Sequence, residues 1–199
     1  VLHCPYTADK ARLVLREMAE SLALDLVSKR LVTDQVVVTV GYDIENLTDP
    51  ERASHYNGLV VSDHYGRRIP KHAHGTERLE THTSSTKKIM GAATALFDRL
   101  VDPNLLIRRL NIVAGHVMPE NDAKKRNSGF EQLDLFGDYT AQKAKQEQEE
   151  AELVRERKMQ ETMLTIKRKY GKNAILKGMN LEEGATAKDR NDQIGGHRA

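Results

Sequence analysis

The chain has 199 residues, a formal net charge of +2, 39% hydrophobic and 30% charged residues, and one cysteine. That length suffices for one ordinary domain plus an appendage, and the lone Cys4 excludes an internal disulfide or a multi-cysteine zinc site, which suits a reducing, cytoplasmic setting. No run approaches the length of a membrane span, so no membrane partner is expected, and any hold on nucleic acid must come from local clusters of Lys and Arg.

The opening VLHCPYTADK lacks the charged and apolar regions of a signal peptide, and its first residue, Val, suggests a fragment or a processed chain. Residues 7–30 read as a helix. Thr7 is placed to cap it, Asp9 complements its positive start, and Ala11, Val14/Leu15, Met18, Leu22 and Leu26 form one apolar stripe. LVTDQVVVTVGYD, residues 31–43, reads as a strand covered on one side. Val36, Val38 and Val40 share one face; Gln35, Val37, Thr39 and Gly41 share the other.

Residues 44–58 carry many turn formers and are expected to form a long loop. Leu59–Val61 and the residues up to Lys71 suggest a further strand or hairpin arm, and residues 73–83 another strand. A helix capped by Ser84 or Ser85 follows, with Ile89, Met90, Ala93, Leu96/Phe97 and Leu100/Val101 on its apolar face; Asp102-Pro103-Asn104 ends it. LLIRRLNIVAGHV is the next strand, with Leu110, Ile112 and Ala114 opposite Arg109, Asn111 and Val113.

The expected fold is therefore α+β: an antiparallel sheet with two helices on one face, and a second face left to polar and basic residues. Residues 1–118 form this domain. Residues 119–139 are expected to be a linker, and 140–199 a charged helix with a flexible tail. The helix, 140–170, has opposite charges three or four apart and a stripe of Met159, Met163, Ile166 and Tyr170. That stripe is expected to pack on the domain or on a second copy. Gly and polar residues make the tail beyond it loosely ordered by composition.

Read together, LIRRLNI after a Ser-capped helix, the four-strand, two-helix pattern, and QLDLF beyond a linker resemble the C-terminal region of a bacterial Y-family translesion DNA polymerase of the DinB/UmuC type. Residues 1–118 would be its little finger domain, a four-stranded antiparallel sheet backed by two helices. The resemblance implies DNA repair and damage tolerance within the SOS response, with primer-template DNA gripped by its backbone. The family's catalytic palm holds two Mg2+ ions for phosphoryl transfer. Its motifs do not occur in this sequence, so no active site or cofactor of this chain's own is expected.

Gln132, Leu133, Asp134, Leu135 and Phe136 match the pentapeptide by which such polymerases dock on the sliding clamp. An extended segment of this kind sets leucines and a Phe into an apolar pocket. The resemblance also assigns template-backbone contacts to Arg108 and Arg109, which as neighbours in a strand should point to opposite sides. Arg67, Arg68 and Lys71 form a basic turn suited to salt-dependent backbone contacts. Arg78, Thr83, Ser84, Ser85 and Lys87 lie before or at a helix start that can cradle phosphate. His72 and His74 lack a third ligand nearby in sequence, so no metal is expected. The competing reading is a non-polymerase module that binds protein or RNA and has a coiled-coil tail.

Overall fold

The structure, a computed structural model, describes residues 1–127, 139–194 and 197–198. Helix α1 (Ala8–Lys29) leads into strand β1 (Leu31–Tyr42). Two short helices, α2 (Glu45–Thr48) and α3 (Pro50–His55), precede a hairpin of β2 (Val60–Ser62) and β3 (Arg68–Pro70). Then come β4 (Ala73–Thr83), α4 (Thr86–Leu100), β5 (Ile107–Gly115) and β6 (Met118–Pro119). Helices α5 (Glu120–Asn127) and α6 (Tyr139–Tyr170), a 3-10 turn at Gly178–Leu181 and α7 (Ala187–Asn191) follow.

The main sheet runs β4-β1-β5, with β6 paired to the first residues of β1, and every pairing is antiparallel. This is the expected four-stranded α+β arrangement, with one difference in membership. Residues 60–62 and 68–70 pair with each other in a separate hairpin and do not join the sheet. The stretch expected as a loop before them contains α2 and α3.

One core forms between the sheet and the two helices. Val36, Val38 and Val40 are fully buried on the inner face of β1, as β-branched residues at every second position allow. They meet Val14 and Leu15 of α1, and Ile89, Leu96 and Phe97 of α4, in one cluster. Each such side chain contributes about 1.5–3 kcal/mol when fully buried. Ala11, Ala19, Ala23 and Ala93 are all at 0% exposure, and side chains this small let helix and sheet approach closely. Helix α1 ends on Arg30, whose left-handed φ of 56° turns its N–H onto the Leu26 and Val27 carbonyls. Thr7 occupies the N-cap position of α1, but its side chain makes no cap hydrogen bond.

Helix α1 has a second buried side that the single-stripe reading does not contain. Leu13, Glu17, Glu20, Leu24 and Val27, spaced by four, three, four and three, are all buried. This side is covered by α6, the 3-10 turn and α7, which pack along α1. The Glu17 carboxylate is wholly enclosed. It accepts hydrogen bonds from Asn180 Nδ2 at 2.9 Å, Thr186 N at 2.8 Å and Ala187 N at 3.0 Å, and Arg190 Nη2 lies 3.4 Å away. Lys177 pairs with Glu20 at 2.6 Å and Lys10 with Glu183 at 2.6 Å. Residues 171–191, expected to be loose, are thus fastened to α1, because a buried carboxylate demands fixed donors. Likewise, residues 120–127 of the expected linker form α5. Met163 of the α6 stripe is buried, whereas Met159 and Tyr170 are exposed.

Candidate nucleic-acid interface

Among the described residues no helix lies across the outer face of the sheet. Antiparallel register sets its side chains in rows. His74, Thr39 and Asn111 form one row, Thr76, Val37 and Val113 the next, and Arg78, Gln35 and Gly115 the third. Thr39 Oγ1 and His74 Nδ1 are 2.8 Å apart, tying the first row together. Arg78, Arg109, Asn111 and Val113 are exposed. Neither Arg78 nor Arg109 has an ion-pair partner among the described residues, so both guanidinium groups face solvent unneutralised.

Arg108 and Arg109 do not point to opposite sides as alternation predicts. Gly41 pairs with Arg109 while Tyr42 pairs with Ile107, leaving Arg108 as the surplus residue of a bulge. Both arginines therefore border one cleft of about 770 Å3, which also includes Thr39, Asn111, His72 and Arg67. Gly41 clears its floor: a Cβ there would lie 3.1 Å from Arg109 Cβ. Arg108 Nε sits 3.7 Å from Asp43 Oδ2, at the edge of an ion pair.

The far wall of the cleft is the β2–β3 hairpin. Asp63 accepts hydrogen bonds from Tyr65 N and Arg67 N, each at 2.9 Å, and from Arg67 Nε at 2.8 Å. Gly66, at φ 75°, completes the turn. The Arg67 hydrogen bond holds the Asp63 carboxyl below its ordinary pKa and raises that of the guanidinium. Arg68 and Lys71 follow on the hairpin's exposed surface, with no ion pair among the described residues.

The start of α4 is different. Ser85 is its N-cap, its Oγ accepting from Lys88 N at 3.2 Å. Yet the remaining donors already have an anion from the same chain. Glu156 of α6 accepts from Ser85 Oγ at 2.6 Å and from Lys87 N at 2.9 Å. Arg157 donates to Ser84 Oγ at 3.0 Å, and the buried Gln160 donates to Ser84 O and Thr86 Oγ1, each at 2.9 Å. Lys87 pairs with Glu152 at 3.2 Å and Lys88 with Glu149 at 2.5 Å; Lys88 thereby lowers the Glu149 pKa. Thr83 Oγ1 accepts from Ser85 N at 3.0 Å. The phosphate cradle expected at Thr83, Ser84, Ser85 and Lys87 is thus filled by a carboxylate.

The structure brings Arg67, Arg108 and Arg109 to one cleft, with Arg68 and Lys71 on the adjoining hairpin and Arg78 on the same sheet face. It sets Thr83, Ser84, Ser85 and Lys87 apart, under α6. Gln132, Leu133, Asp134, Leu135 and Phe136 lie outside the described residues. Sequence reasoning missed Asp63 as the residue that shapes the hairpin; its signal was the Asp-x-x-Gly of a tight turn. Among the described residues, no group of three or more His, Cys, Asp or Glu is placed to hold a metal ion. Among the described residues no helix is long and apolar enough to cross a membrane.

No curated protein and no solved structure matched the chain. The impB/mucB/samB family C-terminal domain matches residues 4–135, which is more than half of the 199 residues and takes in both helices of the core and the whole outer face of the sheet. The chain belongs to this family and carries the C-terminal region of a Y-family DNA polymerase.

Proposed function

We propose that this chain is the DNA-gripping and clamp-tethering part of a Y-family translesion polymerase of the DinB/UmuC type, acting in bacterial DNA repair and damage tolerance in the cytoplasm. The sheet's outer face lies along primer-template DNA and holds sugar-phosphate without reading base sequence. Phosphoryl transfer, with its Mg2+ ions, belongs to the palm of the polymerase. The observation that carries this reading is the uncovered sheet face with its arginine cleft. Arg78 and Arg109 have no counter-charge among the described residues, and a backbone anion supplies one.

Arg108, Arg109 and Arg67 take phosphates in the cleft, Arg68 and Lys71 extend the contact along the hairpin, and Arg78 continues it across the sheet. The Gln132–Phe136 segment docks on the sliding clamp, raising the effective concentration of the domain at DNA already carrying the ring. Ser84, Ser85 and Lys87 are left out of this surface because α6 satisfies them, and Thr83 because its hydroxyl already accepts from Ser85 N.

Two titrations test the reading. Fluorescence anisotropy of a labelled primer-template should show binding that weakens with salt and is largely lost in the Arg108→Ala/Arg109→Ala variant. Purified clamp should bind the chain and fail to bind a Leu135→Ala/Phe136→Ala variant. DNA affinity that ignores both salt and the arginines would overturn the DNA assignment; equal clamp binding by both proteins would overturn the tether.

A further inference from the structure

We propose that the tip of the β2–β3 hairpin is a stacking station for an unpaired nucleotide base. On this proposal the Tyr65 ring holds the base while the adjoining arginine cleft holds its phosphate, so the chain prefers DNA with a single-stranded overhang to blunt duplex. This rests on the DNA-binding reading and adds to it a contact with bases, which the sheet face alone does not provide.

Three observations converge on Tyr65. It is 73% exposed, an unusual cost for a large aromatic in a chain with only 5% aromatic residues. Its ring nevertheless has neighbours: the Arg67 guanidinium carbon lies 5.2 Å from its centroid, and His64 makes a T-shaped contact with it, centroids 5.3 Å apart. The backbone beneath it is fixed as well. Asp63 binds the N–H groups of Tyr65 and Arg67, while Asp63 N donates to Arg67 O at 2.9 Å and Gly66 N to Asp63 O at 3.0 Å. An aromatic ring with a guanidinium against it and an imidazole in a T-shaped contact, carried on a locked turn, has fewer conformations open to it before any ligand arrives. That is what a stacking platform requires.

The surroundings select the ligand. His64 and Arg67, the residues touching the ring, are also in the wall of the cleft that contains Arg108 and Arg109. Arg67 therefore serves both places, braced on the ring and facing the proposed phosphate path. The hairpin, from Leu59 to Lys71, carries Arg67, Arg68 and Lys71 against the single carboxylate Asp63. A cationic groove with an aromatic ring at its margin matches single-stranded nucleic acid, in which every base offers a π-face. Paired bases inside a duplex do not present that face, so the contact discriminates for an overhang.

The test uses the whole chain and two labelled DNAs of equal duplex length, one blunt and one with a single-stranded extension of about eight thymidines. Anisotropy should show the extended DNA bound about tenfold more tightly. Tyr65→Ala should abolish that difference while leaving blunt-duplex affinity unchanged, and Tyr65→Phe should restore it. 2-Aminopurine placed in the extension should be quenched by the wild type and by Tyr65→Phe, not by Tyr65→Ala. Circular dichroism should be identical for all three, because the side chain is at the surface. If Tyr65→Ala binds both DNAs as the wild type does, or loses affinity for both equally, the stacking station is refuted and the backbone grip stands. If the wild type binds neither DNA, the nucleic-acid reading itself falls and this inference with it.

Discussion

The two sides of this domain carry basic groups of the same chemistry and treat them oppositely. On the helix side, Lys87 and Lys88 at the start of α4 meet Glu152 and Glu149, and Glu156 takes the open N–H of the helix end. On the sheet side, Arg78 and Arg109 meet nothing from the described residues, and Arg67 and Arg108 have only Asp63 and a distant Asp43. A count of positive charge along the sequence weights both sides equally. What separates them is whether a later segment of the same chain returns with carboxylates at matching spacing. Helix α6 does so for α4, its Glu149, Glu152 and Glu156 stepping by three and four along one side. Among the described residues nothing does so for the sheet.

That contrast can be broken or sharpened by substitution, and the largest effect is expected at the fastening of the covered side. Glu17→Ala leaves Arg190 and the Asn180 and Thr186 donors without their acceptor; it should cost about 3–5 kcal/mol of stability and open residues 171–191 to proteolysis, measured by urea unfolding and limited trypsin digestion. Arg108→Ala/Arg109→Ala should weaken primer-template binding more than tenfold and lower the salt slope by about two, with the melting temperature nearly unchanged. Glu156→Ala uncovers Ser85 Oγ and Lys87 N and should cost about 1–2 kcal/mol. Lys87→Ala should leave DNA affinity within about twofold, since its charge is already answered at the surface; a loss as large as that of the arginine pair would erase the distinction between the two sides.

The smallest effect is one of pH. Glu149, Glu183 and Asp98 are each held below their ordinary pKa, first by hydrogen bonds from Lys88, Lys10 and Arg12 respectively. A carboxylate depressed in the folded state contributes stability that is present above its unfolded pKa and is lost as pH falls through the folded value. All three are exposed and solvent-screened, so the gain is slight. Hydrogen exchange should show α6 and the tail loosening before the sheet as the medium is acidified through the carboxylate range.

Much of the fold is legible in the sequence because it depends on local periodicity. The alternating valines of β1 and the three-to-four spacing in α4 fall where burial requires them. The second stripe of α1 is not legible, since Glu17 and Glu20 occupy two of its five positions and buried glutamates are recognised only through their donors, more than 150 residues away. The outer sheet face is predictable by strand parity, except where parity itself fails at Arg108. The cradle at Ser84 and Ser85 reads correctly as a helix cap; the sequence does not reveal that Glu156 supplies its anion.

Arg108 shows how little is needed to redirect a charge. Were it removed, Ile107, Arg109 and Leu110 would alternate inward, outward and inward against Tyr42, Gly41 and Val40, and the oily side of the strand would be unaltered. The length of that strand is therefore a variable separate from its composition. A lineage can add or withdraw one guanidinium at the groove by gaining or losing a single codon, at the expense of the one backbone hydrogen bond by which Leu2 N reaches the Arg108 carbonyl.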